Sequence, residues 1–590
     1  MKHWSLGITF LLIVTASLLA APPGPSWPQW AQNPQHTGFL NVKGQDLDRI
    51  LADVIYDPLV PDELATGVQQ FGPPPGLLVH YQVPLVDGND VYMESKSGQF
   101  TRGTYSSQKW HQNKFTWVNG QLTKVWTFDS DWIAPGSQGD FWEPVYHAVL
   151  ANGFVYDPGL GGTIFKLNKA DGSVITRINP FNKINPNTYT VSPLTADAAG
   201  NIYYNVLKLQ DNGPFYAHDA VDSWLIKVAP DDTISIVSYT GLNPAAPKST
   251  DLCLGIFSDS QLPWPPSADA VPPSVPCGLQ RVGLNIAPAI APDGTIYSLT
   301  RGHFLIGARH SFLLALNPNL TLKWATSLRN RFHDGCGVAP PEGTLPPNGQ
   351  PGGCRDLGPA GNAAILGNDP AQNTPGAGRI LDDESSTPTV APDGSIFFGA
   401  YSRYNYAQGH LMHFSANGDY LEGFGFGWDS TPAIFEHDGT YSVVIKNNHY
   451  SGLGSYCNNP TICPTDRTAT NPASPEEFFV TQLSPNLTIE WSFKNTNTQS
   501  CTRNADGSIT CISDHPHSFE WCVNAPVIDK LGVVYANSED GNLYAINQGG
   551  TLKQKLFQQL ALGAAYTPTS LGGDGKIYSE NAGHLFVVGK

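Results

Sequence analysis

Between Asn524 and Lys553 the apolar residues fall into short runs cut by turn residues. Ala525–Asp529 is apolar around a proline, Lys530-Leu531-Gly532 turns the chain, and Val533–Asn537 returns as a β-branched and aromatic run. Ser538–Gly541 turns again, Leu543–Asn547 follows, and Gln548-Gly549-Gly550 leads into a fourth run. Runs of this length and composition predict strands joined by tight turns. The unit is apolar on both faces, so it cannot bury itself alone and needs copies alongside.

The copies are present. A proline, an apolar run, a glycine turn and a β-rich return recur with prolines at 84, 144, 193, 288, 388, 432, 526 and 568. Four of the gaps are 42 to 60 residues and three are 94 to 100. The short gaps match one four-stranded propeller blade. Second halves of blades also repeat, as in GTIFKLN from Gly162 and the matching PNLTLKW and PNLTIEW that end at Trp324 and Trp491. The pattern predicts an all-β fold, an eight-bladed propeller of four-stranded antiparallel blades. The last copy has three strands, so Arg49–Asp57 (RILADVIYD) is expected to supply the missing outer strand and close the ring.

The recurring Gly-x-(Ile/Leu)-(Tyr/Phe)-x-Leu-Asn, its Pro-Asp-Gly-x-Ile-Tyr partner and the opening WPQWAQNPQHTG at Trp27–Gly38 resemble the PQQ-like β-propeller repeat family over roughly residues 27–590. The blade-end tryptophan of that pattern stands at Trp126, Trp324 and Trp491 and is replaced in other copies. The family holds quinone-dependent dehydrogenases and catalytically silent scaffolds. For a dehydrogenase the resemblance implies calcium, PQQ, a stacking floor and an aspartate base, often under a disulfide between adjacent cysteines. No two cysteines are adjacent here, and no Cys-x-x-Cys-His is present to attach haem.

The long gaps contain all nine cysteines, in insertions at about 243–285, 329–386, 450–477 and 497–523. Strand alternation puts the connection from a blade's second to its third strand on the same face as the connection to the next blade. All four insertions should therefore rise from one face, where function is expected. The favoured disulfides are Cys253–Cys277, Cys336–Cys354, Cys457–Cys463 and Cys501–Cys511, with Cys522 left over or exchanged into the last pair.

Composition narrows the setting. A net charge of −17 without acidic blocks disfavours nucleic acid as a partner. Lys2, His3 and the apolar stretch Leu6–Ala21 have the shape of a secretory signal or anchor, placing the domain from residue 22 in a periplasmic or extracellular setting with no later membrane span. A monomer is expected.

Residues just before each innermost strand should line the channel mouth: Gln82, Glu143, Thr190, Asn285, Glu384, Ser386, Asp429, Asn524 and Tyr566. Among these, Glu143, Asn285, Glu384, Asp429 and Asn524, together with Asp383 beside them, form the candidate ligand or cation site. A solvated, hydrogen-bonded mouth is the plainer expectation for the same residues. His515, His517, Glu520 and Cys522 match no zinc or copper spacing, and Arg329, Arg331 and His333 read equally as an anion contact or a soluble loop. The leading expectation is an exported, non-catalytic propeller that binds a protein or small molecule on its insertion-bearing face. A calcium- and PQQ-dependent oxidoreductase is the alternative, and a carbohydrate-active enzyme using exposed Trp142 and Trp428 is the third.

Overall fold

The computed structural model describes residues 25–71, 79–100, 108–135, 145–211, 220–253, 275–304, 307–332, 368–369, 374–379, 386–402, 409–449, 477–504, 506–562 and 567–590. Eight antiparallel sheets follow one another along the chain as the blades of a propeller. Blade 1 runs from Leu85–Asp87 to Gln121–Asp129, and blade 7 from Val527–Asp529 to Thr551–Phe557. In blade 7 the first three strands are almost wholly buried, while the fourth (TLKQKLF) is exposed or half-exposed throughout. The inner strands lie between neighbouring blades and bury both faces. This explains why the repeat reads as apolar on both sides rather than alternating.

The repeat proline splits the innermost strand. In blade 3, Thr190 pairs with Val206 and Thr195 with Tyr203, and the ladder lapses between them at Ser192-Pro193. Proline has no N–H to offer the ladder. The chain just before each proline therefore sits free to serve the channel mouth.

Blades dock through a specific pair. The Trp126 indole covers Gly172 (φ +74°) in the last turn of blade 2, and its Nε1 donates to Lys169 O at 3.1 Å. Trp324 covers Gly418 (φ +86°) of blade 5 in the same way and donates to Ala416 O at 3.1 Å. A Cβ at either glycine would come within 2.8 Å of the ring, so only glycine fits. Trp491 stacks over Gly550 of blade 7. Where a blade lacks the tryptophan, the facing turn is of another kind, such as Asp231-Asp232 of blade 3 or Pro318-Asn319-Leu320 of blade 4, with Asp232 and Leu320 at positive φ.

Blade 8 contains Thr567–Leu571, Ile577–Asn581 and His584–Gly589, and its fourth strand is Arg49–Ile55, antiparallel to the third from Arg49↔Gly589 to Ile55↔His584. Residues 26–45 make a complete circuit of the innermost strands. Trp27 pairs with Val86 of blade 1, and Leu150 N of blade 2 donates to Pro28 O at 2.9 Å. Gln29 clasps Ala196 of blade 3 through both amide atoms. Ile290, Val390, Ile434 and Ile528 of blades 4 to 7 donate to Pro34, Gln35, Thr37 and Gly38 at 2.7 to 2.9 Å, and Gln45 N reaches Gly575 O of blade 8 at 2.7 Å. These contacts lie at the short-turn ends of the inner strands. Trp30 (1% exposed) inserts from this circuit, donating to Thr431 Oγ1 at 3.3 Å with its ring edge-on to His147.

Two features went unanticipated. Helix α1 (Val60–Phe71) follows the closing strand. The insertions also carry their own pairings, Leu252–Cys253 with Val275–Pro276 and Gln499–Arg503 with Ile509–Ser513. Cys501 and Cys511 face each other in the second hairpin and form a disulfide. Cys277 is also disulfide-bonded, whereas Cys522 is free and buried. Cys336, Cys354, Cys457 and Cys463 lie outside the described residues.

Trp30→Ala should lower stability by about 3–5 kcal/mol, as for other large buried aromatics. Chemical denaturation measures it; a loss below about 1 kcal/mol would mean that the circuit does not hold the ring.

Candidate functional site

The channel mouth opposite this circuit is organised by the segment Val79–Gln82, whose His80 contacts blades 4 and 6, Tyr81 contacts Asp57 and Gln82 contacts blade 2. His80 lies across the axis. The Asn285 amide of blade 4 is oriented by Val145 N–H, which donates to its Oδ1 at 2.7 Å. Its Nδ2 therefore faces His80 Nδ1, at 3.3 Å. Nδ1 is thus placed to accept from the amide, and Nε2 lies 3.3 Å from Asp429 Oδ1 of blade 6. Asp429 Oδ2 in turn lies 3.9 Å from Lys446 Nζ. All four side chains are essentially excluded from solvent.

Asn285 and Asp429 both hold left-handed backbone, at φ +62° and +47°. Asn and Asp tolerate that region better than other side-chain-bearing residues, and such strain gathers at functional sites.

The next two residues extend the network. Tyr81 OH donates to Asp57 Oδ2 at 2.7 Å, and Asp57 also pairs with Lys96 Nζ at 3.0 Å. Glu63, on helix α1, reaches the same ammonium at 3.5 Å. The helix thus contributes a carboxylate to the mouth, aided by the Leu59 N–H bond to Asp57 that starts its first turn. Gln82 N donates to Glu94 Oε1 at 3.1 Å, while Gln82 Oε1 accepts from Ala148 N of blade 2 at 2.8 Å. Tyr56 OH donates to Glu580 Oε2 of blade 8 at 3.3 Å. Burial first, and the nearby Glu94 carboxylate second, push the Glu580 pKa well above the usual carboxylate range. Deeper in the channel, burial depresses His147 to about 3 and His36 to about 4, so both are neutral packing groups.

Of the candidates read from the sequence, Asn285 and Asp429 meet through His80. Asn524 is buried beside them, its carbonyl accepting from Thr431 N at 2.7 Å. Ser386 Oγ accepts from Ser430 N at 2.8 Å, and Thr190 Oγ1 of blade 3 donates to Thr163 O of blade 2 at 3.4 Å. Glu143, Asp383, Glu384, Trp142, Tyr566 and His333 lie outside the described residues. Trp428 is 9% exposed, packed under the mouth rather than displayed on it, which corrects its reading as an exposed aromatic. His515 pairs with Asp514 at 2.7 Å and stacks on Phe519 in a surface loop.

Sequence reasoning missed His80, Lys96, Lys446, Glu94 and Glu580. The signal was a charged residue inside an otherwise apolar inner strand, as in TYSVVIKNNH around Lys446 and DVYMESKSG around Glu94 and Lys96.

The fit of calcium can be judged on the described residues. Asn285 Oδ1 is directed at Val145, and the two Asp429 oxygens at His80 and Lys446, so these oxygens do not converge on one point. The imidazole lies between Asn285 and Asp429, 3.3 Å from each. These described oxygens, so directed, do not form a calcium cage.

No family model and no curated protein matches the chain. Solved structures similar to it include a quinohemoprotein alcohol dehydrogenase from Comamonas testosteroni, 11% identical with a TM-score of 0.49, covering 96% of this chain and 81% of that one. BamB from Moraxella catarrhalis is 10% identical with a TM-score of 0.36, covering 85% and 98%. Sqt1 from Saccharomyces cerevisiae is 9% identical with a TM-score of 0.37, covering 87% and 95%. Among the described residues no helix is long and apolar enough to cross a membrane.

The raised Glu580 pKa has a signed consequence. The folded state holds this proton more tightly than the unfolded chain, so its contribution is complete below the ordinary glutamate pKa, about 4.3. It is lost as pH rises towards the folded value. Glu580→Gln should therefore gain stability relative to the native chain as pH rises from about 5 to 9. Melting temperatures of the two proteins across that range test this; a difference independent of pH contradicts it.

Proposed function

We propose that the chain is a non-catalytic, PQQ-like propeller that binds a protein or small-molecule ligand on its insertion-bearing face. The observation that carries this reading is the commitment of His80. Both of its ring nitrogens face partners from different blades and the imidazole is buried, so it serves to tie blades 4 and 6 together beneath the mouth. The circuit of residues 26–45 blocks the opposite end, so the channel serves as a rigid pedestal rather than a passage. The Cys501–Cys511 hairpin, with Ile509 and Ile512 exposed, offers a stapled recognition element on that pedestal. An exported setting, as the N-terminal stretch suggests, suits a protein with disulfides.

The experiment pairs cofactor loading with capture. Calcium and PQQ added to the purified protein should give no new visible absorbance and no rise in melting temperature. Bait protein incubated with the host's exported proteins should retain a specific partner. Replacing residues 499–513 by a short turn should abolish that retention, whereas Asp429→Asn should leave it intact. A cofactor absorbance band with a raised melting temperature would instead establish the quinone-dependent oxidoreductase.

A further inference from the structure

Cys522 differs from Cys277, Cys501 and Cys511. Cys277, Cys501 and Cys511 are in disulfides, while Cys522 keeps its thiol although it lies only 11 residues beyond Cys511. It is 1% exposed, and two carboxylates accompany it. Donor atoms of Glu520, Cys522 and Glu539 all lie within 4.8 Å of one another.

Two separate parts of the chain bring them together. Glu520 and Cys522 belong to the connection entering blade 7, and Glu539 to the turn between that blade's second and third strands. Strand alternation puts both on the insertion-bearing face. An antiparallel bridge, Trp521↔Ser538, locks the two segments in register. Glu539 N donates to Glu520 O at 3.1 Å, and Ser538 Oγ donates to the same carbonyl at 2.8 Å. The donor backbones are thus fixed before any ion arrives.

We infer that Glu520, Cys522 and Glu539 form a site for a thiophilic divalent cation of the zinc class. The Cys522 thiol already faces Glu520 Oε1 at 4.0 Å, and among the described residues the Glu539, Glu520 and Asp429 carboxylates and the Lys446 ammonium act on it. Binding as a thiolate would displace the thiol proton into solvent. One thiolate and two carboxylates suit zinc or cobalt(II), whereas calcium and magnesium take oxygen ligands alone. Both glutamates are half-exposed, which gives the ion a way in from solvent. Three protein ligands leave a fourth position for water. The site stands apart from the binding role proposed above: either can fail without the other.

Cobalt(II) is the probe. Titrated into the metal-free full-length protein, it should give a thiolate-to-cobalt charge-transfer band that saturates at one equivalent, bleaches with zinc and is indifferent to calcium. Cys522→Ser should lose the band, and the milder Glu539→Gln should weaken cobalt binding by about tenfold or more. The site is overturned if no band forms, if a folded Cys522→Ser protein keeps it, or if Glu539→Gln binds cobalt as the native chain does.

Discussion

The structure depends on satisfying the backbone amides at the short-turn ends of the inner strands. Eight two- to five-residue strands converge there, and an unsatisfied buried N–H costs about as much as a lost hydrogen bond. One segment supplies the acceptors. Residues 26–45 pass the blades in order, offering carbonyl after carbonyl, while Arg49–Ile55 completes the eighth sheet a few residues later. The same stretch thus fills the centre of the ring and supplies its last strand. A repeat array whose first and last members would otherwise present raw edges becomes a continuous circle.

That arrangement dictates where chemistry can be. With one end of the channel filled by Trp30, Ala31 and the chain around them, polar groups at the other end meet a closed floor. Short inner strands interrupted by proline free the preceding residues to turn inward. Asn285 and Asp429 come from two such positions, and His80 joins them across the axis. Buried charge in this network is compensated locally: Lys446 by Asp429, and Lys96 by Asp57 and Glu63. Networks of this kind specify one arrangement of the blades more than they add stability.

The fold was legible because it is written eight times. Each copy repeats its proline, its glycine turn and its apolar run, so an error in one is corrected by the others. Even the irregular tryptophans proved regular: Trp126, Trp324 and Trp491 occur where the next blade offers Gly172, Gly418 or Gly550 to sit on. The site was less legible for the opposite reason. His80, Lys96, Lys446 and Glu580 each occur once, at positions that other copies fill with unrelated residues. Their partnership exists only after blades far apart in sequence meet around the axis. Trp428 misled because a large aromatic beside a loop reads as displayed, whereas the fold tucks it under the mouth. Helix α1 was hidden by a chain whose 59 glycines and 49 prolines speak against helices everywhere else.

Native-state hydrogen exchange at the amides of Leu150, Ile290, Val390, Ile434 and Ile528 tests the central claim most directly, since each donates to the N-terminal circuit. If that circuit is integral to the ring, all five exchange together, through global unfolding. Rapid exchange of these amides while the outer hydrogen bonds of the same blades stay protected would show that the circuit is a loose attachment and contradict the account.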